Sequence, residues 1–306
     1  MAKIREILRR RKTARNIRKI TRTMEMIATS RYRRVHGQVA GLHPYAEALT
    51  AMVGHVCRRV RVSTQPLLQS HPQVKRDALV VIAANRGMCG GYNTSLVRLA
   101  VRRIREQRAA GRELDIYAFG TRTLAGLRQA GIEPFWQHLQ FEGRVVFDEV
   151  ARLSQTLMER FIAGELGAVE LIYTRFETST RQSPVVEPLL PLAGVEPAGR
   201  KKAEPPAGKT ETAEKSKAYQ AQYLFMPKDP HRVLRALLPR AVVVRAYRSF
   251  LDALASEYLA RMTAMRTATE NAEDMAHQLT QQYNRARQGG ITRELAEIVG
   301  GAEALK

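Results

Sequence analysis

The sequence predicts an α/β protein: two long helices, one at each end of the chain, pair as an antiparallel coiled coil, and a mainly parallel sheet lies between them. Three observations lead there. Apolar residues recur at steps of four and three over residues 251–286. A thinner stripe with the same seven-residue repeat runs through residues 7–45. Between the two, short β-branched runs alternate with helical stretches. A four-three stripe faces a partner helix, and a lone helix cannot bury it. The two terminal stripes are therefore each other's natural partner, and a chain that folds back on itself pairs them antiparallel.

The C-terminal stripe has two rows. One is Leu251, Tyr258, Met265, Ala272, Leu279 and Ala286; the other is Ala255, Met262, Thr269, Ala276 and Tyr283. Only Thr269 is polar, and no Pro or Gly interrupts the segment. Periodicity alone also allows a long core helix of an ordinary bundle. At the other end, residues 1–60 predict a helix with the row Ile7, Ala14, Thr21, Ala28, Val35 and Leu42. Its expected companion row is Arg10, Ile17, Met24, Arg31, Gln38 and Tyr45, widened by Ile20 and Ile27. Ala14 and Ala28 are small enough for close approach. Pro44 lacks an N–H and clashes with the preceding turn, so a kink or break is expected there.

The middle, residues 75–192, reads as a Rossmann-like α/β domain. Residues 78–84, 114–119, 168–176 and 184–190 are strand candidates. Helices are expected over 94–109, 120–130 and 145–162. Alternating strands and helices build a sheet of largely parallel strands. Residues 193–218 are rich in Pro, Gly, Lys and Glu and predict a disordered loop. Residues 219–226 (YQAQYLFM) predict a last strand, within a return to the sheet domain over 219–230. A helix begins near Pro230 and meets Pro239, and residues 231–306 complete the second coiled-coil arm.

Composition sets the function classes. No apolar run approaches the roughly 20 residues of a membrane-spanning helix. The start, MAKIREILRRRK, has no apolar core of a secretory signal and reads as mature protein. Two cysteines, Cys57 and Cys89, fit a reducing compartment. The net charge is +21, and residues 1–34 hold thirteen Lys or Arg against Glu6 and Glu25. Such charge suits nucleic acid, an anionic membrane surface or an acidic protein partner. No aromatic platform or nucleic-acid motif accompanies it.

Chemistry-bearing motifs are sparse. The loop NRGMCGGYN (85–93) sits between a strand and a helix, where phosphates are often held. It matches neither G-x-G-x-x-G nor the P-loop, and a tight structural turn is the better reading. Cys89 in that loop reads as a small buried residue. His36, His43, His55 and His71 lack a companion set at metal-ligand spacing. No catalytic, cofactor-binding or metal residue is expected.

The segment 291–304, ITRELAEIVGGAEA, fits the pattern I-T-x-E-x-x-E-x-x-x-G-A. It resembles the signature of the gamma subunit of bacterial-type F-type ATP synthase. The N-terminal stretch is similar to that family's first helix, including Asn16, Lys19, Ile20, Thr21, Met24 and Met26. So are HPYAE (43–47), NRGMCGGYN, PVVEPLLP (184–191), ALASEYLARMTAMRTATENA (253–272) and YNRARQ (283–288). The resemblance implies a non-catalytic rotor shaft that carries torque between a c-ring and a hexameric ring of alpha and beta subunits, with epsilon attached to its foot. It implies a peripheral protein on the cytoplasmic face of the bacterial inner membrane, part of the main enzyme or of a divergent rotary paralogue. It also implies partner contacts at Met24, Arg261, Arg287, Gln288, Thr292 and Glu294, and an acidic segment of the catalytic subunits facing the Arg-rich helix. The last turns, with Leu295, Ile298, Val299 and Leu305, should outrun the shorter N-terminal helix as an apolar tip. Two departures stand out: the loop at 193–218 is longer than is usual, and Cys57 and Cys89 lie outside the insertion that carries a regulatory cysteine pair in plastid members.

Overall fold

Five strands form one sheet in the order β3-β2-β1-β4-β5. They are β1 (Arg76–Ile82), β2 (Glu113–Phe119), β3 (Trp136–His138), β4 (Val169–Phe176) and β5 (Gln182–Leu190). The first four run parallel, and β5 returns antiparallel along β4. This is a computed structural model, and it describes residues 2–57, 65–138, 143–179, 181–192 and 230–303. The segments 193–218 and 219–226, read as a loop and a strand, lie outside the described residues.

The chain alternates because each parallel strand needs a crossover. Helices α2 (Tyr92–Ala109) and α3 (Thr121–Gln129) link β1 to β2 and β2 to β3, and α4 (Phe147–Ile162) leads to β4. Leu96, Ala100, Ile104 and Leu127 from α2 and α3 pack on Leu79, Val81, Ile116, Ala118 and Ile172. The other face of β2 meets α4, where the Arg160 guanidinium donates to Tyr117 Oη and Asp115 Oδ2, each at 2.7 Å. Both faces are covered, so β1 is buried at every position after Arg76. Gly120 turns the chain from β2 into α3 at φ +93°, and a Cβ there would lie 2.3 Å from the Ala83 carbonyl oxygen. No other residue fits.

Strand β3 is not among the elements the sequence predicts. It has three residues and no apolar run, so nothing in the pattern marks it; pairing with Tyr117, Ala118 and Phe119 makes it a strand. Pro44 and Pro239 fall inside helices that continue through them, α1 (Ala2–Cys57) and α5 (Pro230–Glu303), so the break expected at Pro44 is absent. Pro44 is exposed, and the loss of a single ladder hydrogen bond there does not end a helix held by its neighbours.

The chain divides into two units. The larger, Val35–Asn85 plus Asn93–Ser256, holds the sheet, the later part of α1 and the early part of α5. Within it the His36 ring meets Phe176 edge-on at 5.6 Å, and Phe250 meets Phe119 edge-on at 4.9 Å. Ser256 Oγ donates to the Thr174 carbonyl at 3.2 Å. A cavity of about 420 Å³ lies among these elements. On its wall Glu187 accepts hydrogen bonds from Tyr173, Arg175 and Arg245. Asp252 shares the cavity and is 3% exposed. Burial pushes its carboxyl up to about 6; Arg248 at 4.0 Å opposes that only partly.

The smaller unit is Met1–Arg34, Arg86–Tyr92 and Glu257–Lys306. Its helices run antiparallel: Arg31 reaches Tyr258, Thr21 meets Thr269, Arg18 pairs with Glu273, and Arg11 lies over Tyr283. The α5 rows face inward as the spacing predicts. Tyr258, Met265, Thr269 and Ala272 are buried, and Met262, Ala276, Leu279, Tyr283 and Ala286 half-buried. On α1 the row Ala14, Thr21, Ala28 is buried, but the expected companion row is not. Arg10, Ile17 and Arg31 are exposed, as are Ile20 and Ile27; Gln38 and Tyr45, in the larger unit, are exposed too. On the flank four residues on, Arg11, Glu25 and Tyr32 are half-buried, while Arg18 is exposed. Small residues at 14, 21 and 28 let α1 lie close, so the covered strip is narrow and the three isoleucines fall outside it.

Two outcomes follow from burial. Met265→Asp should lower the melting temperature of the full chain well beyond Arg266→Asp. Met265 is 6% exposed, while the Arg266 side chain is 71% exposed beside Glu270. A buried unpaired carboxylate costs several kcal/mol and an exposed charge reversal under about one. Asp252→Asn should stabilise the protein at pH 8. A carboxyl raised in the folded state destabilises once ionised, so the gain is at most about 3 kcal/mol above pH 6 and vanishes below about pH 4. Melting curves across pH measure both.

Candidate functional site

The residues of interest lie in two places on α5. At the first, Arg261 sits against the loop that follows β1. Arg261 Nη1 pairs with Glu257 Oε1 at 2.7 Å, one helical turn away. Nη2 donates to the Arg86 and Gly87 carbonyls at 3.3 and 3.4 Å, and Nε donates to Gly87 at 3.4 Å. The guanidinium also lies 5.7 Å over the Tyr258 ring. Burial raises the Glu257 carboxyl above its ordinary range, against the lowering by Arg261, Arg31 and Arg86. The loop needs unusual backbone: Met88 and Gly90 have φ +61° and +57°. Two of its carbonyl oxygens point at a cation, which is the reverse of a phosphate cradle built from N–H groups.

At the second place, Arg287, Gln288 and Thr292 are exposed on the outer part of α5. Thr292 Oγ1 donates back to the Gln288 main-chain carbonyl at 3.0 Å, and the spacing of four puts the two residues on one face of the helix. Glu294 belongs to the same helix; its side chain lies outside the described residues. Arg261 is about 40 Å of helix from Gln288 at 1.5 Å per residue. The candidate residues are therefore not one cluster. Met24, on α1, is half-buried on the flank of the seam.

Two further surfaces are apolar and uncovered. Ile17, Ile20, Met26 and Ile27 are 45–59% exposed on α1, interleaved with Arg18, Lys19 and Arg22. On α5, Ile291, Leu295, Ile298 and Val299 are 45–68% exposed. The spacing places Ile17, Ile20 and Ile27 of the first surface in the seam, and the structure turns them outward. The opposite flank of α1 carried a competing signal in Tyr32, Val39 and Ala46, which repeat at sevens; Tyr32 and Val39 are half-buried and Ala46 is buried. Among the described residues there is no group of His, Cys, Asp or Glu suited to a metal ion, and no helix is long and apolar enough to cross a membrane.

Sequence and fold both have counterparts among known proteins. The ATP synthase family model matches residues 3–305. The ATP synthase gamma chain of Rhodopirellula baltica is 38% identical over 306 residues, covering 100% of both chains. The chain belongs to the ATP synthase gamma-chain family. The gamma chain of Moorella thermoacetica is likewise 38% identical over the full length of both. Among solved structures, a chain of the Euglena gracilis mitochondrial ATP synthase, in a structure of OSCP, F1 and c-ring, aligns with TM-score 0.62 at 17% identity. It covers 99% of this chain and 95% of that one. A chain of the Tetrahymena thermophila central stalk and c-ring aligns with TM-score 0.54 at 19% identity, covering 81% of this chain and 99% of that one. At those identities the likeness is one of fold.

Because Gln288 and Thr292 are exposed, Gln288→Ala with Thr292→Val should leave the melting temperature of the gamma chain within the range of ordinary surface changes, about 0.5 kcal/mol. A large loss would mean that these residues support the helix rather than face a partner.

Proposed function

We propose that this gamma chain is the central rotor shaft of an F-type ATP synthase. It carries torque between an ion-driven c-ring and a ring of alpha and beta subunits, makes and breaks no bonds itself, and binds epsilon at its sheet unit. It works as a peripheral protein on the cytoplasmic face of the bacterial inner membrane. The observation that carries the reading is full-length kinship with gamma chains, joined to the antiparallel pairing of α1 and α5.

The geometry suits torque. Turning load on one helix passes to the other through a continuous seam rather than through one backbone. The Thr269 hydroxyl meets the Thr21 hydroxyl at 2.8 Å inside that seam and fixes its register. The outward isoleucines of α1, set among arginines and lysines, face the ring. Their apolar contact area carries no directional preference, and the cations attract acidic segments over a screening length of about 10 Å. A surface of this kind holds a shaft in its bearing without fixing one angle. Gln288, Thr292 and Arg287 supply the directional polar contacts near the tip, with Glu294 beside them, and Met24 and Arg261 contact the catalytic subunits lower down.

The test is reconstitution with alpha and beta subunits and observation of a bead fixed to the sheet unit. The expected result is ATP-driven rotation with the ring, and no ATP turnover by the pure gamma chain. Gln288→Ala with Thr292→Val and Arg287→Ala should cut the torque-coupled rate severalfold. Turnover by the pure chain, or retention of nucleic acid at high salt in place of alpha, beta and epsilon, would overturn the reading.

A further inference from the structure

Arg261, unlike the exposed Arg287, Gln288 and Thr292, is half-buried against a loop of its own chain. Its side chain is 12% exposed, and all three guanidinium nitrogens have partners within the chain. A guanidinium offers five N–H donors in a fixed fork. Here they are divided between the Glu257 carboxylate and two loop carbonyls, so no two parallel donors remain for an outside carboxylate.

The surroundings hold this arrangement closed. The Glu257 side chain is 14% exposed, and an unpaired carboxylate at that depth is costly. Tyr258 gives Arg261 a ring face at 5.7 Å, and Arg31 from α1 lies over the same ring at 5.9 Å. The loop comes close to α5, where a Cβ at Gly90 would sit 3.8 Å from Ala264 Cβ. Met88 adopts φ +61° there, a backbone cost for a residue other than glycine. A loop in that conformation relaxes when its anchor leaves. Cys89, between these two residues, is 2% exposed.

We infer that Glu257 and Arg261 form a latch that closes the 86–90 loop onto α5, and that a carboxylate of a surrounding subunit opens it by taking the Arg261 guanidinium in exchange for Glu257. This rests on the contact reading of Arg261 given above. Closed, the latch keeps the loop folded and Arg261 covered before assembly. Open, it delivers the fork to the partner and frees the loop. Glu257 is the positioning residue: it sets where the guanidinium points, and its own need for a partner opposes premature opening.

The test uses the full chain with Cys57→Ala, which leaves Cys89 as the single thiol. The rate at which a maleimide labels Cys89 reads loop opening. Arg261→Ala and Glu257→Gln should each speed labelling about tenfold, the weight of one charge-assisted hydrogen bond. Arg261→Lys, which keeps the ion pair and loses the fork, should fall between. Association of the same variants with the alpha–beta ring then separates latch from scaffold. Arg261→Ala should weaken association about tenfold, whereas Glu257→Gln, which frees the fork, should strengthen it severalfold. Labelling of Glu257→Gln at the unsubstituted rate would overturn the latch. Equal weakening of association by both variants would overturn the exchange, leaving only a structural ion pair. If Arg261→Ala opens the loop and association is unchanged, the exchange fails together with the contact reading of Arg261, while bead rotation still tests the shaft.

Discussion

Close approach of two helices is the constraint on which the smaller unit depends. Ala14 and Ala28 are 2% and 1% exposed against α5, and between them two threonine hydroxyls touch at 2.8 Å. Larger residues at those positions would push α1 outward and separate the hydroxyls. The register would then rest on apolar contacts alone, which slide. The cost of a buried polar pair is met by geometry: Thr21 also bonds the Ile17 and Arg18 carbonyls, and Thr269 the Met265 carbonyl. Neither hydroxyl of the pair is left unsatisfied.

The larger unit solves a different problem with charge. Its centre must hold Glu187 and Asp252 near the helical arms. Glu187 is kept ionised by two arginines and Tyr173, and its carboxyl lies below the usual range despite burial. At Asp252 burial outweighs the attraction of Arg248, Arg175 and His43, and its carboxyl moves the other way. Burial raises both carboxyls, more deeply for Asp252, and only at Glu187 do enough donors converge to reverse it.

Much of this was legible from residue spacing. The α5 rows were readable because four-three spacing is set by the partner helix and survives a polar member such as Thr269. The strands were readable because parallel strands buried on both faces are continuous apolar runs, as in ALVVIAA. What failed had no local signature. Isoleucine at 17, 20 and 27 has the same hydrophobicity whether it faces α5 or the surface, so its place on the helix cannot be read from its type. Trp136–His138 become a strand only because β2 offers an edge. The role of Arg261 toward its own loop joins residues 174 or more positions apart, and no pattern in either segment announces it.

The two arms are unequal, and the inequality has a mechanical side. A Cβ at Gly290 would lie 3.9 Å from Ile4, and α5 runs on to Glu303 beyond that approach. Over that stretch a single backbone carries what two carry elsewhere. A rod of half the cross-section twists further under the same load. Angular play therefore concentrates between Gly290 and Glu303, and the stiff pair behind that stretch keeps its phase while the thin end lags or leads.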